Sequence, residues 1–298
     1  MCGIVGMRLK NPELECRLGE LVVPMLDVLS SRGPDSTGVA IYGREADPDL
    51  TKYSLVAHGD GLDWQRLASG IAEHLGKPVE LRQRGPDAVL ATRADPDAVI
   101  RSLGELDPKV RLAGFGSSVE VFKDVGSAGE VCERFGIPKM AGYQAIGHTR
   151  MATESAVTTE HSHPFVVARD LALVHNGTFS NYASIRRRLS AEGVRFETDN
   201  DSEVAARYIA SEMRRGLDLS DALRSVLKTF DGFYTLLVAT PTAIAVVRDS
   251  FACKPMVVAE TEDYVAMGSE YVALGDLPFI EKAAVFEPEP EEIYSWQI

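Results

Sequence analysis

The spacing of apolar and polar positions changes twice within the first 42 residues. Residues 3–7 predict a short strand, and apolar side chains then recur at helical spacing from Leu18 to Leu29. The polar, turn-forming run 30–35 interrupts that helix, and the apolar run 39–42 predicts a second strand. The chain therefore begins as a strand–helix–strand unit.

The part of the chain after residue 142 shows the same mixture of patterns. Strict alternation puts Ile146, His148 and Arg150 on one face of a strand. A second apolar strand at 171–174 runs into His175-Asn176-Gly177, and an Asn-Gly pair in that place predicts a turn.

Helices and then strands follow in the remaining sequence. Helical patterns lie near 180–192, 202–215 and 220–229, and Ser220 is the expected N-cap of the last. Strand patterns lie at 233–239, 243–247, 256–259 and 264–267. Strands, helices and strands in this order predict a layered α+β domain whose helices cover its sheets.

Residues 44–141 have a different character from the two flanking parts. They alternate strand-like runs such as 110–113 with helix-like runs such as 64–75, separated by Asp-Pro and Gly turns. No motif there suggests chemistry. We interpret 44–141 as an ordered α/β insertion within one domain that spans residues 1–298.

Charge and hydropathy narrow the function classes. The formal net charge is −13 and no dense Lys/Arg block occurs, which argues against nucleic acid and anionic membranes as partners. No apolar run approaches the roughly 20 residues that span a bilayer, and the N-terminus lacks the features of a signal peptide. A cytoplasmic location is the expectation.

The cysteine pattern draws attention to one residue. Cys2, Cys16, Cys132 and Cys253 show neither CxxC nor Cys-His spacing, so no disulfide framework, metal site or iron–sulfur site is predicted. Removal of Met1 would leave Cys2 with its thiol and a free α-amine on one residue. An α-amine titrates near pH 7.7–8.0, roughly, so it can serve as a base for that thiol. A packed, inert thiol is the alternative.

Four downstream segments could complete such a site. Residues 32–38 form a polar loop, and Arg150 at a strand end could grip a carboxylate with two hydrogen bonds. Asn176 and the backbone of Gly177 are suitable donors to an oxyanion. The acidic run 199–203 could face an ammonium group. Each segment also has a purely structural interpretation. Residues 32–38 and the pair Asn176-Gly177 could be simple turns, Arg150 could form a surface salt bridge, and the acidic run could be a helix cap.

Six motifs in order resemble the class II glutamine amidotransferases, which are N-terminal nucleophile hydrolases. They are Met-Cys-Gly-Ile-Val-Gly, Arg-Gly-Pro-Asp-Ser, Gly-His-Thr-Arg-x-Ala-Thr, His-Pro-Phe, His-Asn-Gly and Asp-Ser-Glu-Val. The resemblance covers residues 1–43 and about 143–275. It implies a four-layer αββα sandwich and hydrolysis of glutamine to glutamate and ammonia through a γ-glutamyl thioester, with no metal.

The resemblance also implies a role for each matching residue. Cys2 would be the nucleophile and its α-amine the base, while Asn176 and Gly177 would form the oxyanion hole. Substrate binding would fall to Arg150 for the α-carboxylate, Asp201 for the α-ammonium group, and Thr153 and His163 as further pocket residues. Met151, His161-Ser162 and the extra acid Asp199 depart from the family pattern.

The destination of the ammonia is a separate expectation. The chain ends soon after the motifs, which leaves a synthase on other chains as the expected partner. With its long insertion it resembles the small amidotransferase subunits of glutamate-synthase-like proteins, including the A subunit of methylamine–glutamate N-methyltransferase (N-methylglutamate synthase). No cofactor is expected on this chain, and FMN and iron–sulfur clusters would sit on partner subunits. Two alternatives are a regulatory or scaffolding subunit with little hydrolysis and an N-terminal nucleophile amide hydrolase with another substrate.

Overall fold

The computed structural model describes residues 2–44, 47, 49–59, 61–151 and 157–297. Its strands are β1 (Gly3–Leu9), β2 (Ser36–Tyr42), β3 (Thr51–Ala57), β4 (Val79–Arg84), β5 (Asp87–Thr92), β6 (Val110–Gly116), β7 (Val119–Val125), β8 (Gln144–Arg150), β9 (Phe165–Ala168), β10 (Leu171–Phe179), β11 (Gly232–Ala239), β12 (Ala243–Arg248), β13 (Val257–Glu260), β14 (Tyr264–Gly268), β15 (Ala284–Phe286) and β16 (Ile293–Gln297). Its α-helices are α1 (Leu18–Asp27), α2 (Trp64–Leu75), α3 (Pro96–Leu106), α4 (Ala128–Phe135), α5 (Tyr182–Ala191), α6 (Asp201–Arg214) and α7 (Leu219–Thr229).

Two antiparallel sheets stack on each other in the middle of the domain. The larger has seven strands in the order β15-β13-β14-β1-β8-β2-β7, and the smaller has five in the order β16-β12-β11-β10-β9. Alternating apolar residues of both sheets meet in a common core that includes Ile4, Val174 and Ile244, all fully buried. Alternation along each strand therefore gives both sheets an inner face against the other sheet.

Helices cover the outer face of each sheet. Helices α1 and α4 pack on the seven-stranded sheet, with Leu26 and Phe135 in that core. Helices α5, α6 and α7 pack on the five-stranded sheet around Phe179 and Ile209. Each buried Leu, Ile or Phe side chain contributes about 1.5–3 kcal/mol. The layers run helix, sheet, sheet, helix, which confirms the predicted four-layer αββα sandwich.

A third sheet lies within the region interpreted as an insertion. Strands β4, β5, β3 and β6, in that order, form it. Helices α2 and α3 cover it, and Tyr53, Trp64 and Leu90 belong to its own core. Two later elements of 44–141 lie elsewhere: β7 pairs with β2 at the edge of the seven-stranded sheet, and α4 joins the layer of α1.

Two local predictions are wrong. Helix α7 is capped by Asp218, whose side chain accepts a hydrogen bond from the backbone N–H of Asp221, so Ser220 lies inside the first turn. The predicted turn at 175–177 is instead continuous strand, because β10 pairs with β11 from Ala172 to Phe179. Long-range pairing outweighs the local turn preference of Asn-Gly there. Among the residues described, no helix is long and apolar enough to cross a membrane.

Candidate active site

One cavity collects the residues that the sequence analysis singled out. It has a volume of about 610 Å³ and lies where the start of β1, the end of β8, the middle of β10 and the start of α6 meet. Its lining includes Cys2, Arg150, His163, Asn176, Gly177 and Asp201. Thr153, the remaining predicted site residue, lies outside the described residues.

The Cys2 thiol is half-buried at the entrance to β1. The backbone N–H of Met151 donates to its Sγ, with N and Sγ 3.5 Å apart. The strand behind it is held on both sides, since Gly3 pairs with Thr149 and the Ser269 hydroxyl accepts from the N–H of Ile4 at 2.8 Å. The position of the thiol is therefore set by regular sheet structure.

Asn176 approaches Cys2 from the other sheet. Its Nδ2 donates to the carbonyl oxygen of Cys2 at 3.1 Å, so a side-chain amide donor contacts the residue that carries the thiol. Gly177 follows with φ 139°, and a Cβ there would lie 2.1 Å from the carbonyl oxygen of Phe233. Only glycine fits this close approach of β10 to β11.

Arg150 and Asp201 bring opposite charges to the cavity. Arg150 is the last residue of β8, and its carbonyl accepts from the N–H of Asp35 at 3.0 Å, so the loop before β2 fixes its backbone. Asp201 is the first residue of α6. Its two carboxylate oxygens accept from the Phe179 N–H at 3.0 Å and from the Ser202 hydroxyl at 3.2 Å. The Asp201 side chain and the Arg150 backbone are thereby held in place before any ligand binds.

The charges around the cavity suit a zwitterion. Lys254 also lines the cavity, as does Asp199, whose Oδ1 lies 2.8 Å from Nε2 of His161. Two cations and two carboxylates thus face one space. An α-amino acid carries a carboxylate and an ammonium group, and this lining offers a partner of opposite sign to each.

Three buried histidines form the inner wall. The rings of His148 and His163 are stacked with centroids 4.2 Å apart. Nε2 of His148 lies 3.1 Å from the carbonyl oxygen of His175, and Nδ1 of His163 accepts from the backbone N–H of His175 at 3.3 Å. Nδ1 of His175 contacts the hydroxyl of Ser202 at 2.8 Å. These contacts link β8, the segment before β9 and the first turn of α6 to the strand that carries Asn176.

Burial makes these histidines poor bases. Desolvation lowers the pKa of His148 to about 3, holds the pKa of His163 well below its usual range, and lowers the pKa of His175. A base must titrate near the working pH, and an imidazole with a pKa of about 3, as in His148, does not.

Sequence reasoning missed several residues that line the cavity. His148, His175 and Ser202 stood inside motifs but received no role, although alternation already placed His148 beside Arg150. Tyr182 and Lys254 lie in segments without any motif, so only the fold brings them to the cavity. In the part of the chain that the structure describes, no cluster of three His, Cys, Asp or Glu side chains could hold a metal ion.

Comparison with known proteins points to one family. The model of the glutamine amidotransferase domain matches residues 148–276. The glutamine amidotransferase-like protein GlxB of Rhizobium meliloti (strain 1021) is 48% identical over 297 residues, which cover 99% of this chain and 98% of that protein. A putative glutamine amidotransferase of Methanothermobacter thermautotrophicus is 32% identical, with 100% of both chains covered.

A solved structure shares the fold. Glutamine phosphoribosylpyrophosphate amidotransferase from B. subtilis, solved in complex with ADP and GMP, superposes with a TM-score of 0.62 at 20% sequence identity. The match covers 99% of this chain and 49% of that chain, so this chain spans about half of the larger enzyme.

Proposed function

Since this chain belongs to the class II glutamine amidotransferase family, we propose that it hydrolyses L-glutamine to glutamate and ammonia with Cys2 as the nucleophile. One observation carries the proposal. The Cys2 thiol, the Asn176 amide and the charged side chains of Arg150 and Asp201 line a single cavity large enough for an amino acid.

The reaction begins once Met1 has been removed. The free α-amine of Cys2 takes the thiol proton, and the thiolate attacks the side-chain amide carbon of glutamine. Nδ2 of Asn176 and the backbone N–H of Gly177 stabilise the negative oxygen that forms. The protonated amine then gives its proton to the departing nitrogen, which leaves as ammonia.

The second half of the reaction releases glutamate. A γ-glutamyl thioester on Sγ of Cys2 remains after ammonia has left. Water attacks its carbonyl carbon while the α-amine accepts a proton, and the C–S bond breaks to restore the thiol. Arg150 and Asp201 hold the α-carboxylate and α-ammonium group throughout, so the side-chain carbonyl stays beside the oxyanion donors.

The first experiment measures glutamate release by protein whose N-terminus has been determined by mass spectrometry. Protein that begins at Cys2 should turn over glutamine, and Cys2→Ser should lose the activity while keeping the fold. A glutamine-like diazoketone should alkylate Cys2 alone among the four cysteines. Glutamine hydrolysis by a form that retains Met1 would contradict the mechanism.

Two further measurements test the alternative functions, an amide hydrolase with another substrate and a regulatory subunit. A panel of amides with and without α-carboxylate and α-ammonium groups tests for another substrate. An amide hydrolase of different specificity would accept compounds that lack those groups. A regulatory subunit would bind its partner yet support no more product from glutamine than from free ammonia.

We further propose that the nitrogen passes to a separate glutamate-synthase-like partner, with N-methylglutamate synthase as the candidate. In phosphoribosylpyrophosphate amidotransferase the region that matches this chain is about half of a larger enzyme. FMN and iron–sulfur clusters would belong to the partner subunits. Affinity purification from the native host, followed by synthesis assays with glutamine, ammonia or methylamine as nitrogen source, tests this. A chain that purifies without a synthase would contradict it.

A further inference from the structure

Lys123 is a mostly buried cation on the wall of a second cavity, of about 1090 Å³, away from the cavity of the proposed reaction. It lies on β7 at the edge of the seven-stranded sheet, and only 6% of the residue is exposed. Its Nζ donates to the carbonyl oxygen of Ser162 at 2.9 Å and to that of Glu160 at 3.5 Å. The ring of Phe165 lies 5.3 Å from the ammonium nitrogen.

This cation is costly to the fold. No carboxylate of the described residues lies within ion-pair distance of Nζ, and Glu160, Glu197 and Glu203 compensate its charge only from farther away. Desolvation accordingly lowers the pKa of Lys123 to about 8. Methionine at this position would remove the desolvation cost of the charge, but it would also remove the donor to the carbonyl oxygens of Glu160 and Ser162. These two effects on the free energy of unfolding oppose each other, so the net effect of the substitution on stability is expected to be small.

The backbone segment that Lys123 contacts, residues 160–162, continues directly into His163, one of the three buried histidines. Ser162 precedes His163, whose carbonyl oxygen packs against Gly38, the residue paired with Lys123 across the sheet. A Cβ on Gly38 would lie 2.0 Å from that oxygen. The segment 160–163 is thus held against β2 and β7 from two directions.

His163 in turn supports the strand of the oxyanion donors. Its Nδ1 accepts the hydrogen bond from the backbone N–H of His175, the residue before Asn176. Its ring stacks on His148, two residues before Arg150. A displacement of 160–163 would therefore reach both Asn176 and Arg150 through packed side chains.

We propose that Lys123 is a positioning residue of the glutamine site, which holds residues 160–162 so that His163 keeps Asn176 of β10 beside Cys2. The inference rests on the proposed glutaminase function. Lys123 acts through backbone carbonyls and touches no substrate. Its contribution is to the rate of the reaction.

The experiment compares Lys123→Met with Lys52→Met. Lys52 is also a strand lysine of low exposure; it lies on β3 of the third sheet, and its Nζ lies 3.3 Å from the carboxylate of Glu120 on β7. Three quantities are measured: the free energy of unfolding in urea, kcat and KM for glutamine, and the NMR signals of the histidine rings.

For Lys123→Met we expect unfolding stability close to that of the unmodified protein, a kcat lower by about tenfold and a smaller change in KM, because misplaced reacting groups cost rate. The His163 ring signals should shift. For Lys52→Met we expect lower stability, unchanged kcat and unchanged His163 signals.

Each contrary outcome overturns the inference. Lys123→Met that fails to fold, or loses stability as Lys52→Met does, would make Lys123 structural. Unchanged kcat and His163 signals would show that Lys123 does not position the site. Protein with the original sequence that begins at Cys2 and releases no glutamate would contradict the proposed function instead, and the His163 signals would still report whether Lys123 holds that segment.

Discussion

Nδ2 of Asn176 donates a hydrogen bond to the carbonyl oxygen of Cys2 across 3.1 Å, and this contact joins the two central sheets. Cys2 leads into β1 of the seven-stranded sheet, and Asn176 lies on β10 of the five-stranded sheet. The proposed nucleophile and the proposed oxyanion donor therefore come from different layers of the sandwich.

Asn176→Ala should lower kcat for glutamine by about 10²–10³-fold with little change in KM, because the amide stabilises charge that exists only in the transition state. Glutamate release under saturating glutamine measures this. Asn181→Ala is the matched control, since the Asn181 amide bonds the Thr229 carbonyl outside the cavity and its loss should reduce stability alone. Equal losses of kcat in both variants would contradict the role of Asn176.

Gly177→Ala should both destabilise the protein and abolish activity. The added Cβ would meet the Phe233 carbonyl oxygen at 2.1 Å in a backbone conformation that strains L-residues. Gly193→Ala is the control, because Gly193 also has positive φ, at 90°, but nothing lies within 4 Å of its Cβ position. We expect Gly193→Ala to lower the free energy of unfolding by about 1 kcal/mol and Gly177→Ala to lower it clearly more. Similar losses would show that β10 and β11 can separate.

Arg150→Lys should raise KM for glutamine by about tenfold or more, because a lysine keeps the charge but loses the two-pronged carboxylate contact. The preference for glutamine over glutamine α-amide, which lacks the α-carboxylate, should shrink in this variant. Arg224→Lys on α7 changes an exposed ion pair with Asp221 and should leave KM unchanged. An unaltered preference in Arg150→Lys would assign the carboxylate to another cation, with Lys254 the next to test.

The buried histidines predict a loss of stability in acid. The pKa of His148 is about 3 in the folded protein, below the 6.5 of an unfolded chain, so the unfolded chain binds the proton first as pH falls. This contribution of His148 to stability is complete above pH 6.5 and is lost progressively towards pH 3, by up to about 1.4 kcal/mol per pH unit.

Urea unfolding between pH 7.5 and pH 4 measures this dependence. His148→Phe keeps a stacking partner for His163 and should reduce the slope of stability against pH. His74→Gln, at an exposed position of α2, should leave the slope unchanged. A slope that is the same in His148→Phe and the unmodified protein would show that His148 does not stay neutral in the folded state.

A layered α+β domain could be predicted from the sequence because periodicity is a local signal, and alternation identified the face of β8 with Arg150. The four-layer sandwich and the choice of Asp201 within the acidic run depended on the resemblance to the class II glutamine amidotransferases. The strand character of 175–177 could not be predicted, because it depends on pairing with β11 more than fifty residues later. A role for Lys123 or Lys254 could not be predicted either, because each lies beside segments that are distant in the chain.

The core between the two sheets has a consequence beyond stability. Gly6 of β1 packs so closely on Leu237 of β11 that a Cβ on the glycine would lie 2.6 Å from a leucine methyl carbon. Sliding one sheet over the other by a fraction of a residue would leave all the helices intact and yet part Cys2 from Asn176. Activity should therefore be lost on heating before the helical signal is lost. The cause of inactivation would then be displacement of one sheet relative to the other, and not unfolding.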